Sequence, residues 1–140
     1  MPQVVKSPAL LLITGTISLG FTCPAAAQTI DCGKAMTTVE LNFCADKEYQ
    51  TADKALNDTY QMAIKSTRAR NMEKPYDAGS FEEALRAAQR AWVAYREAQC
   101  KGVVPQVSAG GTITTSAVLG CMTTLTLQRT KELKDDFADQ

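Results

Sequence analysis

The chain reads as an all-α domain, a small antiparallel bundle of about three helices stapled by two disulfides. Three observations predict this. Apolar residues recur at helical spacing along three long segments. Connectors carrying Gly and Pro separate those segments. Four cysteines remain once an N-terminal leader is set aside, an even number in a small chain.

The leader comes first in order. Lys6 is followed by an apolar run from about Ala9 to Phe21, then by Ala25-Ala26-Ala27. The run is shorter than the roughly 20 residues that span a bilayer. It reads as a cleaved secretory signal over residues 1–27, leaving a periplasmic or secreted domain of residues 28–140. Lipid anchoring at Cys23 would need small residues directly before it, and Gly20-Phe21-Thr22 fit that poorly. Lys6 is the one charged residue in the leader, so the mature domain carries a net charge of −1. Such a balance gives no reason to expect nucleic acid or an anionic membrane as partner. With no second hydrophobic span, a soluble mature protein is expected, long enough for one modest core.

The first helix is expected from about Thr38 to Arg70, with Leu41, Cys44, Ala52, Leu56, Tyr60 and Ala63 marking its apolar face. Thr37 or Thr38 can cap its start, and Glu40 lies near the positive end of its dipole. A turn follows through Pro75 and Gly79. The second helix is expected to start at Ser80, whose hydroxyl would form a capping box with Glu83. Its apolar face is Phe81, Leu85, Ala88, Trp92 and Tyr95, and it should end near Cys100 to Gly102. The stretch from Gly102 to about Thr115, with Pro105, Gly110 and Gly111, is too polar and broken for a helix. A third helix runs from about Ser116 to Phe137 on Val118, Met122, Leu125, Leu133 and Phe137. Short connections favour antiparallel neighbours. No internal repeat appears.

Cys32, Cys44, Cys100 and Cys121 have intervening lengths of 11, 55 and 20 residues, with no Cys-x-x-Cys knuckle and no histidine anywhere. Disulfides therefore fit better than zinc. Of three connectivities, the helix layout favours Cys32–Cys44 and Cys100–Cys121, because each joins ends that the bundle brings together. The second would close a loop of about 20 residues, worth about 3 kcal/mol.

The loop between Cys100 and Cys121 is not a phosphate cradle. It has no lysine after Gly111 and no strand before it. Two readings stay open: a plain connector, or a rigid contact loop formed by Ser108, Ala109, Gly110, Gly111 and Thr112, rich in amides and hydroxyls. Without histidine there is no Ser-His or Cys-His pair, and no enzyme activity or cofactor is expected. Glu82-Glu83 point about 100° apart on a helix and make a poor acid–base pair. Tyr49, Asp53, Asn57 and Tyr60 share one edge of the first helix. Arg96 and Arg129 flank the apolar faces of their own helices. Glu40, Asp53, Asn57, Arg96 and Arg129 are thus expected as a structural polar network, with Arg forks meeting Asp53 or Glu40. A partner-binding groove is the alternative. Near the C-terminus, Glu132, Asp135, Asp136 and Asp139 are interleaved with Lys131 and Lys134, as on a solvated helix face.

The ordered pattern Cys32, Thr37/Thr38, Glu40, Cys44, Tyr49, Ala52-Asp53, Leu56-Asn57, Tyr60, Gln89, Trp92, Arg96, Cys100, Gly110-Gly111-Thr112, Cys121, Leu125-Thr126, Arg129 and Leu133 resembles the LprI-like lysozyme-inhibitor family of small exported bacterial domains. The resemblance implies an α-helical, disulfide-stapled domain in the periplasm or outside the cell, with a role in inhibiting lysozyme. An envelope interaction module, or an immunity-type partner binding another periplasmic protein or a cell-wall fragment, is the alternative expectation.

Overall fold

The computed structural model describes residues 29–137. The expected leader, Cys23 and Asp139 lie outside that range. A 3-10 turn, Cys32–Lys34, leads into α1, Thr38–Arg68. The second helix, α2, is Ala78–Glu97 and continues through a π turn, Ala98–Val103, into a short helix α3, Val104–Val107. The last helix, α4, is Thr114–Phe137. No strand occurs among the described residues.

Three long helices thus run up, down and up. Cys44 to Ala55 of α1 lie beside Thr123 and Leu127 of α4, whereas Ala63 and Ser66 lie beside Leu133 and Phe137. The two helices are therefore parallel to each other. The intervening α2 opposes both: its late residue Arg96 meets Asp53 and Thr126, while its early Phe81 meets Phe137. The α1–α4 pair makes the main packing contact, and α2 lies more lightly on it. This follows from side-chain size: α1 offers Ala52, Ala55, Thr59 and Ala63, which let backbones approach.

The core is Leu56, Ala63, Ile64, Leu85 and Leu133, with Tyr60, Trp92 and Phe137 packed against it. Phe81 stacks on Phe137 with ring centroids 5.8 Å apart. Of the expected apolar faces, Leu41, Ala88 and Tyr95 are exposed instead. The reason is that α2 buries a narrow stripe, and Arg96 takes the place beside Trp92 that Tyr95 was expected to hold.

Thr37 caps α1 through a full capping box. Glu40 Oε2 accepts from the Met36 and Thr37 amides at 3.0 and 2.9 Å, and the Glu40 amide donates to Thr37 Oγ1. These bonds hold the Glu40 carboxyl below its usual range. The capping box expected at Ser80 and Glu83 does not form. The cap of α2 is Asp77, whose Oδ1 accepts from the Ser80 amide at 2.8 Å, so Ser80 lies inside the first turn. An aspartate three residues earlier is as good an N-cap as serine, and it leaves Ala78-Gly79 within the helix.

Candidate functional site

One end of the bundle gathers the start of α1, the end of α2, the start of α4 and both disulfides. Cys32–Cys44 and Cys100–Cys121 have Cα separations of 5.6 and 5.5 Å, within the ordinary range. Cys100 is fully buried. Both staples therefore lie at the end that displays the Gly110-Gly111 loop.

Behind the staple lies a tier built on Arg96. Its side chain is buried, and Nη1 donates to Asp53 Oδ1 at 2.9 Å and to Thr126 Oγ1 at 2.8 Å. Asn57 Nδ2 donates to Asp53 Oδ2 at 3.1 Å, completing the carboxylate's partners from its own helix. The guanidinium also lies over the rings of Trp92 and Tyr49, 5.0 and 5.5 Å from their centroids. Burial pushes the Tyr49 hydroxyl above its usual range. This tier ties all three long helices together.

Of the expected polar network, Asp53, Asn57 and Arg96 come together. Arg129 does not join them: Nε donates to Gln89 at 3.2 Å and Nη1 to Glu132 at 2.9 Å, forming a separate clamp between α4 and α2. Glu40 also stands apart, since its carboxylate is taken up by the α1 cap. Thr126 and Gln89 supply essential acceptors that polarity patterns do not single out. A threonine or glutamine on a helix face carries no charge signal.

The segment expected as an open loop from Gly102 to Thr115 is mostly helical. The Val104 amide donates to Gln99, five residues back, which defines the π turn. Pro105 sits in the first turn of α3, directly after the π turn. The connector proper is Ser108 to Thr112, with Ile113 directly before α4. It opens with a Schellman closure: the Gly110 amide donates to Pro105 at 3.3 Å and the Ala109 amide to Gln106 at 3.3 Å. Two successive residues are left-handed, Ala109 at φ 49° and Gly110 at φ 67°. A Cβ placed on Gly110 would meet nothing within 4 Å, so that position faces open space.

The Gly111 amide donates to Ser108 at 3.1 Å. Amides 108 through 111 are therefore all spent inside the turn, which corrects the expectation of an amide-rich contact loop. The donors left are the Ser108 and Thr112 hydroxyls and the amides of Thr112 and Ile113, which enter the positive end of α4.

A shallow groove of about 510 Å³ between α1 and α4 is lined by the Cys32–Cys44 bridge, Ala52, Ala55, Thr123 and Leu127. A second, of about 400 Å³, lies at the α1–α2 turn around Met72, Tyr76 and Phe81. No group of three metal-ligating side chains occurs among the described residues. No helix among them is long and apolar enough to cross a membrane.

Comparison with known proteins places this architecture. A family model described as "Lysozyme inhibitor LprI" matches residues 30–133, which include all three long helices up to the last turn of α4 and both disulfides. The chain is 40% identical over 135 residues to an uncharacterized protein of Rhizobium meliloti (strain 1021), covering 92% of each. It is 31% identical over 85 residues to Lipoprotein LprI of Mycobacterium tuberculosis and of Mycobacterium bovis, covering 61% of this chain and 36% of those proteins. No solved structure matches. With its cysteine framework, Arg96 tier and Gly-Gly connector inside the matched region, the chain belongs to the LprI lysozyme-inhibitor family.

Proposed function

We propose that this protein is an exported, non-enzymatic lysozyme inhibitor that occupies the enzyme's cleft with the connector Ser108 to Thr112. The observation that carries the reading is the family match across the whole stapled bundle, taken with a connector held between Cys100 and Cys121. Lysozyme cleaves glycan with two carboxyls flanking the scissile bond. The Thr112 and Ile113 amides at the start of α4, with the Ser108 and Thr112 hydroxyls, are donors suited to such carboxyls. A connector already closed by its own hydrogen bonds loses little freedom on docking, which favours affinity.

The test titrates the oxidised protein against c-, g- and i-type lysozymes, following wall lysis. Saturable inhibition by the native protein, abolished when Gly110 and Gly111 are replaced by bulky residues that leave the helical content intact, is the expected result. Inhibition unchanged by that replacement would remove the connector from the mechanism.

A second reading has one observation in its favour. The mycobacterial lipoproteins share only 36% of their length with this chain, so an activity of theirs can reside elsewhere. In that case the bundle is an envelope interaction module or an immunity-type partner, and native protein would leave every lysozyme active while retaining its fold.

A further inference from the structure

The connector is flanked by two β-branched apolar residues that the fold does not use. Val107 is 82% exposed and Ile113 is 62% exposed, and Val103, one turn before Val107, is 48% exposed. None belongs to the core. Along their own stretch of chain charge is nearly absent, the nearest carboxylates at this end being Glu97 and those of the α1 start. Between Glu97 and Arg129 the sequence holds a single charged residue, Lys101, and that ammonium is paired with Glu97. The opposite end of the bundle differs sharply: Arg68, Arg86 and Glu82 form an ion cluster there.

We infer that Val107 and Ile113 are the apolar anchors by which this end docks on the rim of a lysozyme cleft, one on each side of the connector. The inference rests on the lysozyme reading above and adds the residues that supply affinity. Charge selects the occupant. A cleft holding two carboxyls repels an acidic surface, and the Ala98–Gln128 stretch contains no carboxylate at all. A surface of hydroxyls, two open amides and flanking apolar groups matches such a cleft, with polar donors reaching the carboxyls and apolar side chains sealing the edge from water. Burying both side chains on association is worth enough to change affinity at least about tenfold.

The experiment uses the protein expressed as the full chain and purified with its disulfides formed. Val107→Ser/Ile113→Ser is compared with wild type and with Met62→Ser, which removes a similarly exposed apolar side chain (60% exposed) near the opposite end, beside Leu133 and Phe137. All three are titrated against c-, g- and i-type lysozymes, with circular dichroism and Tm recorded for each. Inhibition weakened about tenfold or more in the double variant, with Met62→Ser unchanged and all Tm values alike, is the expected result. A double variant that inhibits like wild type overturns the anchors and leaves the lysozyme reading standing, and equal loss in Met62→Ser overturns them too. Wild type that inhibits none of the enzymes removes the lysozyme reading and the anchors with it. Amide exchange on the wild-type complex is the check that needs no variant: slowing should concentrate in residues 103–113, and its absence there overturns the assignment.

Discussion

The two ends of this bundle are held together by different chemistry. At the α1–α2 turn, packing does the work: Ile64, Leu85 and Leu133 are buried and Phe81 stacks on Phe137. At the connector end, apolar burial is thin. Cys44, Cys100 and Met122 are buried there, while Val103, Val107 and Ile113 are not. Both disulfides and the Arg96 tier fall at that end. The difference teaches why so short a chain needs its cysteines. An end that buries few apolar side chains beyond Cys44, Cys100 and Met122 gains little order from burial, and covalent closure supplements it.

The comparison can be broken by removing one support at each end. Leu133→Ala, at a fully buried site, should cost about 4 kcal/mol by lost transfer energy and the cavity left behind. Cys100→Ser/Cys121→Ser should cost about 3 kcal/mol, the loop-closure value for some 20 residues. Urea unfolding gives both numbers. The two losses should differ in kind. Leu133→Ala should keep native-like exchange protection in the connector, whereas the cysteine pair should lose it there first. Equal protection in both variants would show that the staple is not what orders the connector.

How far this division was legible in the sequence follows from the kind of signal each residue emits. The apolar end was readable because Leu56, Leu85, Leu133 and Phe137 recur at helical spacing, and periodicity reports burial directly. Cysteine parity and helix layout together favoured the pairing that forms. The Arg96–Asp53 contact was legible as one of two choices for the Arg forks. Its exclusion of Glu40 was not, because a capping box and an interhelical ion pair use the same carboxylate and only geometry shows which wins. The continuation of α2 through Gly102 was missed for a related reason. Glycine and proline weigh against helix locally, but a π turn and an N-terminal Pro position absorb both. Thr126 stood in the family-like pattern, but nothing in charge or periodicity marked it as the acceptor that completes the Arg96 tier. The residues of the connector were legible in the sequence, but their exposure was not, because it depends on how the turn closes on itself.

A smaller effect sharpens the contrast through pH. Glu82 bridges Arg68 and Arg86 with bonds of 2.6 to 2.9 Å, closing the α1–α2 turn. The two guanidiniums pull its carboxyl down from 4.5 to about 2. Because the folded value is depressed, the contribution is fully present above about pH 4.5 and is lost as pH falls toward 2. The Asp77 carboxyl, bonded to Ser80, is lowered as well and adds the same sign at the same end. Glu82→Gln should therefore lower Tm at pH 6, and its gap to wild type should close as pH approaches 2. A gap that stays constant would mean that the Glu82 bridge contributes nothing through its charge.

The smallest effect concerns the connector itself and should be a gain. Ala109 occupies the left-handed position that ends a Schellman closure, where glycine is the usual residue. A Cβ in that conformation costs about 1–2 kcal/mol. Replacing it by glycine also adds freedom to the unfolded chain, which returns about 0.4–1 kcal/mol of that gain. Ala109→Gly should then stabilise the bundle by about 0.5–1 kcal/mol in urea titrations, with the connector's shape preserved. If inhibition rests on this turn as preformed, the stabilised variant should inhibit at least as well as wild type. Stabilisation accompanied by weaker inhibition would instead identify the Ala109 methyl as part of the contact, moving the docking surface from the flanks of the connector to its tip.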